Sequence, residues 1–304
     1  MKHLGQATAV VALALAAGAA VAQDYPTRTV EVIHAYGPGG GTDNFVRAVA
    51  GPFQEITGQS MVPIAIQGGG GMPAYAQFRQ RRGDGYTMMA ISPDQVIQHV
   101  MGRMDLSEFV PLARVQYDQG MIVVPAASPY QTIEEFMEAA RANPGQLKVG
   151  ITEAAGFDDT AMGKWNTETG AEVTTVPFGS SEMIAAALGG QVDAMHEEYG
   201  PARGLIESGD MRPLVVFAEE RLPVLPDVPT AQELGYDVTL GRWRAFALPD
   251  GTDPAIVEAA FAAIEEAVAT EEYKEYEEQS ALQYRSELLG PEEFQAFIDR
   301  EIET

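Results

Sequence analysis

The chain reads as an α/β protein of two lobes, each a sheet covered by helices, with a cleft between them. Three observations predict this. Short apolar runs alternate with helix-like segments along most of the length, the runs fall into two sets, and a late apolar run can carry the chain back to its first half. Val30–His34, Met61–Gln67 and Tyr86–Ser92 form the first set of strands. Leu147–Thr152, Val173–Phe178, Val192–His196 and Leu214–Ala218 form the second, and the strand-like Met121–Pro125 separates the two sheets. Trp243–Pro249 provides the return. Lobe 1 is then 23–122 with 241–304, and lobe 2 is 123–240. The C-terminal third is helical: Asp253-Pro254 opens a run with Ile256, Val257, Ala260, Phe261, Ile264 and Val268 at helical spacing. Glu271–Glu278 and Glu292–Glu303 are acidic amphipathic stretches expected to face solvent.

The N-terminus has the pattern of an export leader. Met1-Lys2-His3 is a short basic start, Ala9–Ala20 is uncharged and apolar, and Ala20-Val21-Ala22 supplies the small residues of a cleavage site, so 1–22 is expected to be removed. The apolar stretch is shorter than the ~20 residues of a spanning helix, and no later stretch suits insertion in a membrane. The composition, 46% hydrophobic and 21% charged over 304 residues, is that of a globular protein. The absence of cysteine excludes a disulfide framework, a thiol nucleophile and a Cys-based metal site, and fits a periplasmic protein held by a large core. The formal charge is −25, and loss of Lys2 with the leader makes it more negative still. Nucleic acid and anionic membranes are poor partners for such a field. Only four of the nineteen basic residues are lysine, a balance that suits a salty medium.

Two glycine loops carry the chemistry. Gly37-Pro38-Gly39-Gly40-Gly41-Thr42-Asp43 follows a strand and precedes a helix, as nucleotide loops do. It lacks the Gly-Lys-Ser/Thr ending of a phosphate loop, and Thr42 stands where G-x-G-x-x-G needs its last glycine. The remaining reading is a nest of backbone N–H groups for a smaller anion, with Thr42 or Asp43 as N-cap of the next helix. Gln67-Gly68-Gly69-Gly70-Gly71-Met72-Pro73 repeats the arrangement. In a parallel sheet both loops lie at one strand edge, where ligands bind. Backbone donors also explain how so acidic a chain can hold an anion: each hydrogen bond to a charged group contributes roughly 1.5–3 kcal/mol.

Tyr25-Pro-Thr-Arg28, the two glycine loops, Asp84-Gly-Tyr86, Leu188-Gly-Gly-Gln-Val-Asp193 and Arg221-Leu-Pro-Val-Leu-Pro-Asp-Val-Pro-Thr230 occur in this order. In this the chain resembles the Bug-type periplasmic receptors of tripartite tricarboxylate transporters, over essentially all of its mature length. The resemblance implies a type II periplasmic binding-protein fold whose lobes close on a small organic carboxylate: a di- or tricarboxylate, an aromatic acid, or an amino or hydroxy acid; the sequence leaves the oligomeric state open, with a monomer as the default. It further implies membrane transporter subunits as partners and no cofactor. Carried over residue by residue, the ligand contacts fall on Gly39, Gly40, Gly41, Thr42 and Asp43, on Gly69, Gly70, Gly71 and Met72, and on Ser92. In lobe 2 they fall on Glu153, Phe157, Asp158, Phe178, Gly179, Ser180 and Glu197, with Met72, Phe157 and Phe178 as apolar walls. The chain departs from the family pattern in the acids of Thr152–Asp159 and at Glu197-Glu198. If these acids face the cleft, they disfavour a second ligand carboxylate and suit a hydroxyl or amine; otherwise they face solvent. Arg242 and Arg244 could offset them or reach an anion, but exposed surface pairing is favoured.

Enzymatic readings find little support. His196-Glu197-Glu198-Tyr199-Gly200 lacks the second histidine of H-E-x-x-H, and the four histidines show no metal-ligand spacing. There is no G-x-S-x-G elbow. The alternatives to a transport receptor are a ligand-sensing receptor for a membrane signalling protein and a carboxylate-ester or amide hydrolase.

Overall fold

The computed structural model describes residues 25–303, except the side chains of Ser180 and Ser181, so the expected leader at 1–22 lies outside the described residues. β1 (Val30–His34), β2 (Met61–Ala65) and β3 (Thr87–Ile91) form parallel pairs in the order β2-β1-β3. Each leads through a turn into a helix: α1 (Gly41–Thr57), α2 (Met72–Phe78) and α3 (Pro93–Val100). Both glycine loops therefore sit at the C-terminal edge of one parallel sheet.

The two predicted sheets turn out to be joined. β4 (Phe109–Pro125) pairs antiparallel with β9 (Gly241–Pro249) as far as Gln119, and from Gly120 onward it pairs with strands of the other lobe. The result is one nine-stranded path, β2-β1-β3-β9-β4-β7-β5-β6, with β8 also on β4. The first two-thirds of β4 escapes a hydrophobic reading because Arg114, Gln116, Asp118 and Gln119 interrupt it, and all four are buried. Gly120 marks the change of partner. A Cβ there would lie 2.3 Å from Nε2 of His196 on the adjacent strand, so close an approach requires glycine.

The second lobe runs α4 (Ile133–Ala142), β5 (Lys148–Ile151), α5 (Phe157–Thr169), β6 (Thr174–Pro177), α6 (Ser180–Leu188), β7 (Ala194–Glu198), α7 (Tyr199–Glu207) and β8 (Met211–Val216). After β9 the chain closes with α8 (Pro254–Val268), α9 (Glu271–Gln279) and α10 (Pro291–Glu303). Each half of the sheet buries a core on both faces. Phe45, Phe53 and Ile264 pack on one side of the first half, and Phe78, Trp243 and Phe294 on the other. Phe136 and Trp165 flank the second half on one face, Met183 and Tyr199 on the other. At about 1.5–3 kcal/mol for each large apolar side chain, these cores do the work that disulfides do in small exported domains. The acidic C-terminal helices are solvated except along Tyr273, Phe294 and Ile298.

Helix starts show one correction. α1 begins at Gly40 with no side-chain cap, so neither Thr42 nor Asp43 is the N-cap; both lie inside the first turn. α3 has the better signal: Ser92 and Gln95 form a capping box around Pro93.

Candidate functional site: an interlobe cavity beside a buried ionic cluster

A cavity of about 550 Å³ opens between the lobes, lined by 35–37 and 67–70 from lobe 1 and by 152–154, 177–179 and Glu182 from lobe 2. Both glycine loops contribute, but differently. In the second loop Gly68, Gly69, Gly70 and Gly71 all have positive φ, 91°, 60°, 66° and 75°. Side chains with a Cβ adopt such a run only at about 1–2 kcal/mol per residue, so four glycines are what the turn demands. In the first loop Gly37 reaches the cavity, while the next amides are engaged internally. Gly40 N–H donates to the Gly37 carbonyl at 3.2 Å, and Gly39 N–H donates to Asp43 Oδ2 at 2.9 Å. Arg47 Nε donates to the same oxygen at 2.8 Å, and His34 Nε2 lies 3.3 Å from Oδ1. Although burial opposes its charge, the Arg47 and Gly39 bonds hold the Asp43 carboxyl below its usual range. Asp43 thus braces the loop from inside. Gly41 and Thr42 open α1, whose first N–H groups have no partner within the helix.

Lobe 2 supplies Glu153, Phe178, Gly179 and Glu182 to the wall. Glu182 Oε2 accepts the Gly179 N–H at 3.1 Å. Ser180 begins α6, but its side chain is not described. Among the described residues that line the cavity there is no Lys, Arg or His. Met72 belongs instead to the lobe 1 core, Ser92 is buried as a helix cap, and Phe157 is buried with Arg242 Cζ 4.9 Å over its ring.

Behind the cavity lies a cluster of opposite character. Arg242 directs Nη1 to Asp94 Oδ2 at 2.8 Å, Nη2 to Asp158 Oδ1 at 2.6 Å, and Nε towards Glu198 Oε1 at 2.8 Å. Arg244 Nη2 reaches the other Glu198 oxygen at 2.7 Å, and its Nη1 lies 3.9 Å from Asp118. Tyr36 and Ser92 hydroxyls donate to Asp94 Oδ2 at 2.5 and 2.8 Å, and the Phe157 N–H donates to Oδ1 at 2.7 Å. Asp158 accepts Thr152 N–H at 2.9 Å and also the Thr152 hydroxyl, and His196 Nδ1 lies 3.0 Å away. All these charged side chains are at least nine-tenths buried, so the predicted surface pairing of Arg242 and Arg244 is wrong: they offset the acids. A Cβ on Gly41 would collide with Arg244, which ties the first glycine loop to the cluster.

Burial pushes the carboxyls of Asp118, Asp158, Glu197 and Glu198 upward, and the cations oppose it to different extents. Arg242, aided by His196 and Thr152, holds Asp158 well below its usual range; Arg244 and Arg242 do the same for Glu198. Asp118, buried and repelled by Glu198, is pushed up to about 7. Glu197 rises well above its usual value through burial and the charge of Glu198. Strand alternation explains the contrast between the adjacent glutamates. Glu198 and His196 share the face of β7 that meets the arginines, while Glu197 lies on the other face with Met195. The acids at Asp158, Glu197 and Glu198 therefore face neither the cavity nor solvent. The same period of two places Arg242 and Arg244 together on β9, a signal present in Arg-Trp-Arg. Tyr36 and Asp94 carried no such signal.

Known proteins fit this geometry. The model of the tripartite tricarboxylate transporter family receptor matches residues 45–286. The UPF0065 protein in the gbd 5′ region of Cupriavidus necator is 30% identical over 280 residues, 89% of this chain and 84% of that protein. A TctC solute binding protein from Polaromonas, solved without ligand, is 28% identical, with TM-score 0.66 over 91% of this chain and 96% of its own. An R. palustris protein solved with adipate is 25% identical, with TM-score 0.84 over 91% and 95% of the two chains. The fold is that of two-lobe periplasmic binding proteins, and the chain belongs to the tripartite tricarboxylate transporter receptor family.

Proposed function

We propose that this chain is a periplasmic receptor, exported by the leader at 1–22, that captures a small organic carboxylate between its lobes and presents it to a tripartite tricarboxylate-type transporter. The observation that carries the reading is the cavity itself, walled by two glycine turns and without a basic side chain among its described lining residues. A carboxylate there is held by backbone N–H groups. The relative solved with adipate supports a carboxylate as the ligand class. Its work is differential affinity: the ligand stabilises the closed arrangement of 23–122 with 241–304 against 123–240. No group in the cavity is assigned a catalytic role.

A thermal-shift screen of organic acids and amino acids tests this. A binder at one hundred times its Kd adds about 2.7 kcal/mol to stability and raises the melting temperature. A chain that responds to a sugar, nucleotide or cation, but to no carboxylate, has another function.

A further inference from the structure

Among its described lining residues, the charge on the cavity wall is all of one sign and all on one lobe. Lobe 1 contributes none, whereas lobe 2 contributes Glu153 and Glu182. The acids behind the cavity are served by arginine: Asp94, Asp158 and Glu198 all meet Arg242. Glu153 and Glu182 form no ion pair with a described residue. Glu182 Oε2 takes the Gly179 N–H, which leaves Oε1 for another donor. The donors of the same wall are largely committed. Thr152 gives both its N–H and its hydroxyl to Asp158, and the Phe178 N–H donates to the Ile151 carbonyl at 2.8 Å. The Gly179 N–H is held by Glu182, and Pro177 has no N–H. Among the described residues of this wall, the amides of Glu153 and Ala154 are the donors left. The two sides of the cavity thus differ in kind: glycine backbone on lobe 1, carboxylates without a cation on lobe 2.

We propose that Glu153 and Glu182 determine specificity, and that the ligand is a zwitterion with one carboxylate and a cationic group at its other end, rather than a di- or tricarboxylate. This rests on the carboxylate reading above and narrows it. The ligand's carboxylate lies on the glycine turns, and its ammonium group lies against lobe 2, where three N–H donors meet two carboxylates. A second carboxylate in that place meets two like charges, with two amides to offset them. Specificity of this kind comes from the repulsive element as much as from the attractive one. The state of Glu153 agrees with its lack of a partner: burial and the charge of Asp94 push its carboxyl up to about 7. An ammonium group brings to Glu153 what Arg242 brings to Asp94 and Asp158.

Calorimetry at pH 8 and constant ionic strength tests this with three series of compounds. All share one carboxylate and a spacer of one to four methylene groups, and they end in ammonium, methyl or a second carboxylate. At its best length the ammonium series should bind the native chain at least about tenfold more tightly than the methyl series, and the dicarboxylates should bind more weakly than either. E153Q and E182Q should each reduce the ammonium preference. The double variant should abolish it and bring the dicarboxylates level with the methyl series. E287Q, a change at an exposed acid outside the cavity lining, should leave both ratios as they are. A dicarboxylate that binds the native chain as tightly as its ammonium analogue overturns the proposal and leaves the carboxylate reading standing. An ammonium preference that survives in the double variant does the same, as does one that E287Q removes equally, since the overall charge of the chain would then be its cause. Alkylamines without a carboxylate separate the two readings. If they bind and no carboxylate does, or if no member of any series binds, the carboxylate reading falls and this inference with it.

Discussion

Around Arg242, buried carboxylates and two guanidinium groups are matched at 2.6–2.8 Å, with hydroxyls and backbone N–H groups filling the remaining lone pairs. Around Gly68–Gly71 the wall is partly exposed backbone and the described lining side chains bring no positive charge. The two regions meet negative charge by different means. Anions that belong to the chain are answered by arginine, whose full charge offsets the cost of burial. An anion that must come and go is answered by dipoles, which bind it without leaving a bare buried cation when it departs. The comparison predicts that side-chain changes in the first region act on stability, and backbone changes in the second act on binding.

The largest effect should follow R242M. The side chain keeps much of its length but strands Asp94, Asp158 and part of Glu198 without their cation. Breaking a buried pair from one side costs about 3–5 kcal/mol, and here one residue serves three acids. Urea denaturation at pH 7 should show a loss at or above that range. A loss under about 1 kcal/mol, typical of exposed pairs, would mean that water reaches the cluster and that the contrast with the cavity is small.

G70A should show the reverse balance. A Cβ at Gly70 meets Gln98 Nε2 only at 3.4 Å, so space is available; the cost comes from the positive φ and is about 1 kcal/mol. Relaxing that strain turns the N–H away from the cavity, so carboxylate affinity measured by calorimetry should fall by more than the stability does. Unchanged affinity in a folded G70A protein would reduce the loop to a connector.

Much of this was legible in residues, though unevenly. β1 is seen in sequence at the bounds it has in space, because Val30–His34 is a short apolar run between polar turns. β4 is seen only at its end, because the charges that break its pattern meet opposite charges distant in sequence: Asp118 lies near Arg244 of β9, and Arg114 near Glu287. The glycine loops could be located but not resolved, since sequence does not show that Asp43 consumes the Gly39 amide. Glu197 and Glu198 look alike in sequence. Their opposite fates follow from alternation on β7, which needs only the strand assignment, together with the position of Arg242, which needs the fold.

The smallest effect, and the most sensitive to sign, is D118N. Asp118 is buried, its Oδ1 accepts the Gln119 N–H at 2.8 Å, and burial with the charge of Glu198 pushes it up to about 7 against the pull of Arg244. A carboxyl raised on folding contributes stability that is complete below its unfolded pKa near 4 and is lost as pH rises through 7. Glu153 behaves in the same way. Asp158 and Glu198, held low on folding, contribute stability that is present above about 4 and lost as pH falls through their folded values. From these groups the native chain should therefore be most stable near pH 4, where the contribution of Asp158 and Glu198 is nearly complete and the loss at Asp118 and Glu153 has only begun. Near pH 4 Asp118 is largely protonated in the folded and the unfolded chain alike, asparagine replaces it almost isosterically, and D118N should come nearest to the native melting temperature. Between about pH 4 and 7 D118N should become the more stable of the two, by no more than about 1.4 kcal/mol per pH unit, and above 7 the difference should level off. If the native chain instead gains on D118N as pH rises, Arg244 outweighs burial at Asp118. The cluster would then hold its full set of charges at neutral pH, a capacity that the cavity beside it, lined by backbone dipoles, does not share.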